Sequence, residues 1–170
     1  MLYKCAPHAP ATAHGHTQTI KNGNKHLTVD IHCHVHVPEC DTMVEGKWKI
    51  EQMPVIHFAN DLTRELNIEQ NDILMPKLTD PELRIKDMDS CGVDIQAISP
   101  SPFHYSYWAD PELGRDVSVV ANDTVGELGA KYPDRFSPMC TVPLRHPELA
   151  IAELERCLKE HNMRGVEIGT

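Results

Sequence analysis

The sequence predicts an α/β fold in which strands and helices alternate around a parallel sheet, and three observations support this prediction. The second half of the chain alternates short apolar runs with longer segments of helical period. Three of the helical segments open on the same Pro-Glu-Leu signature. An apolar strand nearer the start carries two histidines at a spacing of two residues. Strands that alternate with helices are joined by right-handed crossovers, and this connection gives a parallel sheet.

The composition is that of a globular protein. The chain has 170 residues, 41% of them hydrophobic, which is enough to bury a sizeable core. The net charge of −9 provides no electrostatic footprint for nucleic acid or an anionic membrane. No apolar run reaches the length of a membrane span, and the first residues lack the apolar segment of a secretory signal. The six cysteines show no Cys-x-x-Cys spacing, which favours reduced thiols in a cytoplasmic protein.

Residues 1–27 are predicted to be an N-terminal extension, either disordered or folded into a short hairpin. Proline, alanine, threonine and histidine dominate its first part, a composition typical of a solvated segment. The hairpin alternative depends on Asn22-Gly23, because Asn-Gly is a strong signal for a tight turn between two strands. Such a hairpin would lead directly into the histidine strand.

The first predicted strand, residues 29–34, reads Val-Asp-Ile-His-Cys-His. Alternate side chains of a strand share a face, so His32 and His34 lie on one face and Cys33 on the other. Two imidazoles on one face supply half of a site for zinc or another divalent metal. His-x-His alone is a weak signal, because exposed polar strands without a metal are common. Asp30 lies one layer deeper, where its expected role is to orient a ligand rather than to bind the metal.

Residues 39–78 show no clear period and are predicted to be an insertion with small strands or one short helix. An insertion of this length directly after a strand is usually either functional or disordered. It contains three cations that could meet an anionic substrate, although each alone is more often a solvated surface residue. These cations are Lys47, Arg64 and Lys77.

From residue 79 onward the predicted elements become regular. Each Pro-Glu-Leu signature places proline at the first helical position and an acid beside the helix N-terminus, where both are favoured. Thr79 and Glu82 have the spacing of a capping box, and Gly92 and Asn162 are suitable helix ends. The predicted order is helix 81–91, strand 94–99, helix 111–131, strand 136–142, helix 147–161 and strand 165–169.

Together with the histidine strand, this order gives four parallel strands. A (β/α)₈ TIM barrel has eight strands and usually about 250 residues, so residues 28–170 are predicted to be the N-terminal half of such a barrel. A bare fourth strand would be an aggregation-prone sheet edge. The chain alone is therefore expected to be catalytically inert and to aggregate, dimerise through that edge or remain partly unfolded.

Several sequence blocks, in the right order, resemble the amidohydrolase-related family. The blocks are residues 29–34, 80–89, 92–99, 106–109, 132–136, 147–150 and 165–170. The similarity covers about residues 28–170 and is closest to the family's 2-amino-3-carboxymuconate-6-semialdehyde decarboxylases. Several motifs in register are far more specific than His-x-His alone.

The resemblance implies a metal-dependent TIM barrel that decarboxylates an unsaturated or aromatic carboxylate without oxidation or an organic cofactor, usually with zinc. The substrate that it implies is 2-amino-3-carboxymuconate-6-semialdehyde, of tryptophan catabolism. His32 and His34 match the first two metal ligands of the family. The other ligands, and the histidine that activates the metal-bound water, are expected beyond Thr170. The family's insertion holds substrate carboxylates with basic residues, and none here aligns with them clearly.

Two alternatives to this function stay open. The same half-site serves related amidohydrolases and hydratases, so the reaction could be of either kind. In the second alternative the chain is not an enzyme but a truncated, non-catalytic product that is unstable alone or binds a partner, such as a full-length homologue.

The positions of several other residues in the sequence predict their roles. Active sites of barrels lie at the carboxyl ends of the strands, so residues 99–103, Thr141 and Thr170 are candidates for the pocket wall. Trp108 is expected to be a packing anchor near the mouth of the site. A structural role is expected for six further residues: His57, His104, His146, His161, Cys140 and Cys157.

Overall fold

The computed structural model describes residues 27–49 and 57–169. The predicted N-terminal extension up to residue 26, including its possible hairpin, and Thr170 lie outside the described residues. In chain order the elements are β1 (Val29–Val35), α1 (Pro38–Val44), α2 (Asp61–Thr79), α3 (Pro81–Cys91), β2 (Ile95–Pro100), a 3₁₀ turn (Pro102–His104), α4 (Pro111–Lys131), β3 (Phe136–Pro138) and α5 (Pro147–Glu160).

The three strands form one parallel sheet in the order β1-β2-β3. Helix α3 lies between β1 and β2 in the chain, and α4 lies between β2 and β3, so the predicted alternation is confirmed. In the register of the first pair, His34 lies opposite Ser99. Parallel strands present their carboxyl ends at one edge of the sheet, and this register places both side chains near that edge.

The predicted fourth strand, residues 165–169, is wrong: the structure has a single parallel bridge there, between Cys140 and Val166. The third strand is also shorter than predicted and ends at Pro138. The side chain of Asn122 explains why the pairing of β3 with β2 stops, because it bonds the backbone groups of Thr141 on the side that faces β2. Its Oδ1 accepts from the backbone N–H of Thr141 at 2.8 Å, and its Nδ2 donates to the carbonyl of the same residue at 2.9 Å. These two backbone groups are therefore bonded to a helix rather than to a neighbouring strand.

The insertion is also different from its prediction. Its described residues, 39–49 and 57–78, form helices α1 and the 19-residue α2 in place of the predicted small strands or one short helix. The side chain of Asn60 caps α2 by accepting from the N–H of Thr63 at 2.8 Å. None of the residues of α2 is fully buried, and its apolar side chains are spread around the helix. This spread hides the helical period in the sequence, because one apolar stripe is what makes a helix recognisable.

Acidic side chains cap two of the three helices that begin with Pro-Glu-Leu. Asp80 Oδ1 accepts from the N–H groups of Glu82 and Leu83, and Asp110 does the same for α4. The predicted capping box is therefore wrong, since Asp80 and not Thr79 is the N-cap. Thr79 instead donates its hydroxyl to the carbonyl of Met75 at 2.9 Å.

Close packing of α4 against His161 and against Pro138 of β3 explains two glycines within that helix. A Cβ at Gly126 would lie 2.4 Å from Nδ1 of His161, and one at Gly129 would lie 2.6 Å from Pro138. Both distances are shorter than van der Waals contact, so a larger residue would force the helix away. The helix nevertheless runs to Lys131, as predicted.

The core lies between the sheet and its helices, around Ile98, Val117, Val125 and Met163. Cys33 belongs to this core, which confirms that it points away from the two histidines. All five cysteines of the described part are free thiols, and Cys5 lies outside that part. A search of the described helices for one with the length and apolar character of a membrane span found none.

Candidate metal centre

The strand parity brings His32 and His34 together as predicted. Their Nε2 atoms are 3.1 Å apart, and the two rings meet edge to face with centroids separated by 4.8 Å. His32 is exposed and His34 is half-buried, so the pair lies on the open face of the sheet, opposite the face that carries Cys33.

The separation of the two nitrogens fits one metal ion. Metal–nitrogen bonds of about 2.0–2.1 Å place two ligand nitrogens on one ion about 2.9–3.4 Å apart, for octahedral or tetrahedral angles. The observed 3.1 Å lies within that range without movement of the strand. Burial lowers the pKa of His34; the Glu167 carboxylate opposes this shift and the nearby His32 adds to it, and the net lowering favours the neutral ring. A neutral imidazole has the lone pair that a metal requires.

The structure adds a carboxylate that the sequence analysis did not single out. Glu167 follows the Cys140–Val166 bridge, and its Oε1 lies 3.9 Å from Nε2 of His34. His32, His34 and Glu167 each offer one potential ligand atom, and these three atoms lie within 4.8 Å of one another. The available signal was position, because an acid near the carboxyl end of a predicted barrel strand faces the site.

Ser99 connects the carboxylate to the metal-facing histidine. Its Oγ is 3.3 Å from Nδ1 of His34 and forms a very short hydrogen bond with Oε2 of Glu167. The side chain is fully buried, so its hydrogen bonds are made within the protein. Ser99 was expected to be a wall residue, and the structure gives it this additional contact.

A second cluster lies just beyond the first along the same strand. Nε2 of His36 is 2.7 Å from Oδ2 of Asp41, and Nδ1 of His104 is 3.9 Å from Oδ1 of the same carboxylate. Nε2 of His104 accepts the backbone N–H of Val37 at 2.9 Å. The neutral ring of His104 therefore carries its proton on Nδ1, the atom that faces Asp41. That nitrogen has no lone pair to offer, so this cluster is a poorer metal site than the histidine pair.

A cavity of about 540 Å³ adjoins the second cluster. Its lining combines acidic, aromatic and apolar side chains of the insertion and of the loop after β2. Among them are His36, Asp41, Glu45, Trp48, Met75 and Phe103. Trp48 stacks on Trp108 with ring centroids 5.6 Å apart, so the predicted packing role of Trp108 is consistent with its contact.

Other residues from the sequence analysis lie elsewhere or play different parts. Asp30 accepts the backbone N–H of His32 at 3.3 Å and does not contact its ring. Lys77 pairs with Asp87 at 2.9 Å, and Arg64 lies 3.5 Å from Asp61, so both charges already face carboxylates. Among the remaining predicted structural histidines, His57 is exposed, and Nε2 of His146 is buried without a hydrogen-bond partner in the described part of the chain. His161 contacts Asp123 at 2.8 Å.

Parallel strands that alternate with helices, with a histidine pair at the carboxyl end of the first strand, are typical of a (β/α)₈ barrel whose site lies at the strand ends. The model of the amidohydrolase family matches residues 29–170. The chain belongs to this family. The predicted resemblance is thereby confirmed, and the three-stranded sheet is part of the family's barrel.

Two curated relatives have decarboxylase names. The chain is 34% identical over 91 residues to the 2-amino-3-carboxymuconate-6-semialdehyde decarboxylase of Dictyostelium discoideum, with 54% of this chain and 25% of that protein covered. It is 36% identical over 127 residues to the gamma-resorcylate decarboxylase of a Polaromonas species, with 69% and 36% covered. The chain thus spans between a quarter and about a third of these relatives.

A solved structure gives a similar result. The 5-carboxyvanillate decarboxylase of Novosphingobium aromaticivorans, crystallised with manganese and 4-hydroxy-3-methoxy-5-nitrobenzoic acid, superposes with a TM-score of 0.69. The sequence identity is 26%, and the match covers 85% of this chain and 42% of that chain. This coverage agrees with a partial barrel.

Proposed function

We propose that the chain supplies the first two metal ligands of a barrel that decarboxylates an aromatic or unsaturated carboxylate without oxidation. The observation that carries the proposal is the pair of Nε2 atoms of His32 and His34, 3.1 Å apart, in a chain of the amidohydrolase family. Relatives named as decarboxylases of three substrates support the reaction type.

The chain's own residues have separate tasks in this proposal. His32 and His34 hold the ion through their Nε2 atoms. A divalent ion, which we propose to be zinc, polarises a substrate oxygen when it is bound. Ser99 and Glu167 hold His34 in place, and the cavity beside His36 receives the body of the substrate. The remaining ligands and the group that protonates the vacated carbon are expected on the part of the family barrel beyond the matched region.

Two substrates fit this reaction, and the relatives do not separate them. The relative of Dictyostelium discoideum favours 2-amino-3-carboxymuconate-6-semialdehyde. The cavity favours a hydroxybenzoate, because Asp41 and Glu45 line it and no lysine or arginine does so among its described lining residues. A second substrate carboxylate would face these like charges, whereas a phenolic hydroxyl could donate to them.

The test uses a completed chain, in which residues 1–170 are followed by the rest of a family barrel. It is supplied in turn with the muconate semialdehyde, gamma-resorcylate and 5-carboxyvanillate, and carbon dioxide is measured against substrate consumed. One carbon dioxide per molecule of any of them is the expected result. Turnover of an amide or lactone panel without carbon dioxide would instead assign a hydrolase.

Variants connect the activity to the proposed ligands. His32→Ala and His34→Ala should each abolish decarboxylation and lower the metal content, measured by atomic emission, without loss of the fold. His57→Ala is the matched control, since His57 is exposed and belongs to neither histidine cluster. Unchanged metal content in both ligand variants would overturn the site assignment.

We further propose that the protein works in the cytoplasm, a location that its free thiols support. For the 170-residue chain alone, our prediction remains that it aggregates, dimerises through the edge of the sheet or stays partly unfolded. Sedimentation of the purified chain at several concentrations tests it, and a monodisperse monomer with robust turnover would contradict the half-barrel interpretation.

A further inference from the structure

A continuous line of polar contacts runs from the histidine pair to Glu167. Nδ1 of His34 is 3.3 Å from Oγ of Ser99, and the same Oγ forms a very short hydrogen bond with Oε2 of Glu167. The three residues come from β1, from β2 and from the segment after the Cys140–Val166 bridge. The line therefore joins three neighbouring parts of the sheet at its carboxyl end.

The available donors and acceptors determine which atom carries the proton in each of these hydrogen bonds. A serine hydroxyl has one proton to donate, and a carboxylate can only accept. Three possible acceptors lie within reach of the Ser99 hydroxyl: Glu167, the carbonyl of Cys33 at 3.4 Å and, in one tautomer, Nδ1 of His34 at 3.3 Å. The proton goes to Glu167, because the carboxylate is the charged acceptor and has no proton of its own to donate in that contact. Once its proton points to Glu167, the oxygen of Ser99 can only accept from Nδ1 of His34. That ring must then carry its proton on Nδ1 and leave a lone pair on Nε2.

We propose that Glu167, acting through Ser99, is a positioning residue that fixes His34 in the Nδ1-protonated tautomer required for metal binding through Nε2. The inference rests on the metal site of the proposed function and deepens it. His34 becomes the preorganised ligand of the pair. In the described part of the chain the ring of His32 contacts His34 but no serine or carboxylate fixes its tautomer, so it must adjust that tautomer when a metal binds.

Direct coordination by Glu167 is the alternative role for the same carboxylate. The distance of 3.9 Å between its Oε1 and Nε2 of His34 is longer than the edge of about 2.9–3.4 Å expected between two ligand atoms on one ion. Its other oxygen is already bonded to Ser99. Both facts favour positioning over coordination, and a single substitution separates the two roles.

Glu167→Gln is that substitution. The glutamine side chain keeps an oxygen that can accept the hydroxyl proton of Ser99, but it loses the negative charge that makes a carboxylate a good metal ligand. The positioning role predicts that Glu167→Gln behaves like the unchanged protein, whereas Glu167→Ala and Ser99→Ala do not. Coordination by Glu167 predicts that the glutamine and alanine variants lose affinity alike.

The first measurement is nitrogen-15 NMR of the histidine rings in the metal-free completed chain, with His34→Gln used to assign the signals. The unchanged chain should show a protonated Nδ1 and an unprotonated Nε2 for His34. Ser99→Ala and Glu167→Ala should show a mixture of tautomers, and Glu167→Gln should restore the single form. A protonated Nε2 in the unchanged chain would overturn the proposal, and this result does not depend on whether any variant folds.

The second measurement is calorimetric titration of the same proteins with zinc. Loss of an outer hydrogen-bond partner should weaken the affinity about 10–100-fold in Ser99→Ala and Glu167→Ala, with a change of less than about 3-fold in Glu167→Gln. Equal loss in the glutamine variant would assign direct coordination and overturn the positioning role.

The two proposals fail in different ways. If His32→Ala and His34→Ala leave the zinc affinity unchanged, the metal site of the proposed function is wrong, whatever the tautomer of His34. If those variants abolish binding while Ser99→Ala and Glu167→Ala leave both tautomer and affinity unchanged, the positioning role alone is wrong.

Discussion

Two histidine clusters lie next to each other at the end of β1, and they differ in what surrounds the ring nitrogens. In the first, the Nε2 atoms of His32 and His34 face each other at 3.1 Å on the open face of the sheet. In the second, Nε2 of the buried His104 is taken by the backbone N–H of Val37. The proton on its other nitrogen then faces Asp41. From this comparison we expect the partner of the second ring nitrogen, and not the spacing of histidines, to decide which cluster binds a metal.

Removal of one histidine from each cluster should give the largest contrast. His34→Ala should weaken zinc binding by at least about 100-fold, because it leaves a single imidazole of the pair. His36→Ala should leave the affinity within about 3-fold, since the second cluster is not the metal site. Calorimetric titration of both variants measures the difference. Similar losses would mean that the two clusters form one site.

The effects on the free energy of unfolding should show the reverse pattern, with the larger loss in the second cluster. His104→Ala is expected to lower the free energy of unfolding by about 2–4 kcal/mol, because it opens a cavity and leaves the N–H of Val37 unbonded. His32→Ala should change it by less than about 0.5 kcal/mol, since the side chain is exposed. Urea unfolding followed by circular dichroism compares the two. A larger loss for the exposed residue would contradict the assigned roles.

The pH dependence of stability should come from the second cluster. The pKa of His104 is lowered from 6.5 to about 4, chiefly by burial and to a smaller extent by His36, while Asp41 opposes the shift. The unfolded chain binds a proton at this residue below about pH 6.5 and the folded chain only below about pH 4, so stability is present above pH 6.5 and is lost as the pH falls through that window. The full shift corresponds to about 3 kcal/mol.

Urea unfolding at pH 7, 5.5 and 4.5 measures this loss, with His104→Gln as the matched variant. The difference between the unchanged protein and His104→Gln should shrink as the pH falls, because glutamine does not titrate. A constant difference across the three pH values would show that His104 is not the group responsible.

The smallest expected effect is that of Asp41→Asn. The carboxylate is more than half exposed, so its pairing with His36 contributes less than about 1 kcal/mol to folding. The same substitution should leave the zinc affinity unchanged, because the site is the other cluster. A marked loss of zinc affinity, measured by calorimetric titration, would place Asp41 in the metal site after all.

The sequence predicted those features that depend on local spacing. Strand parity placed His32 beside His34, and the Pro-Glu-Leu signatures located three helices to within a residue. The errors involve interactions between residues far apart in the chain. Nothing near Thr141 in the sequence indicates that Asn122, on a helix, occupies its backbone groups. The same limit applies to Glu167, whose contacts with Ser99 and His34 span 68 and 133 positions of the chain respectively, the latter being 167 minus 34.

The side chain of Asn122 imitates a peptide group. It presents one acceptor and one donor to the two backbone groups of Thr141, as a neighbouring strand would, and its Nδ2 also donates to the buried carboxylate of Glu153 at 2.7 Å. Aspartate has nearly the same shape but no donor, and it would set two carboxylates against each other. Deamidation, the slow chemical ageing of asparagine to aspartate, would therefore break both contacts at once, and the burial of Asn122 shields this position from the water that the reaction consumes.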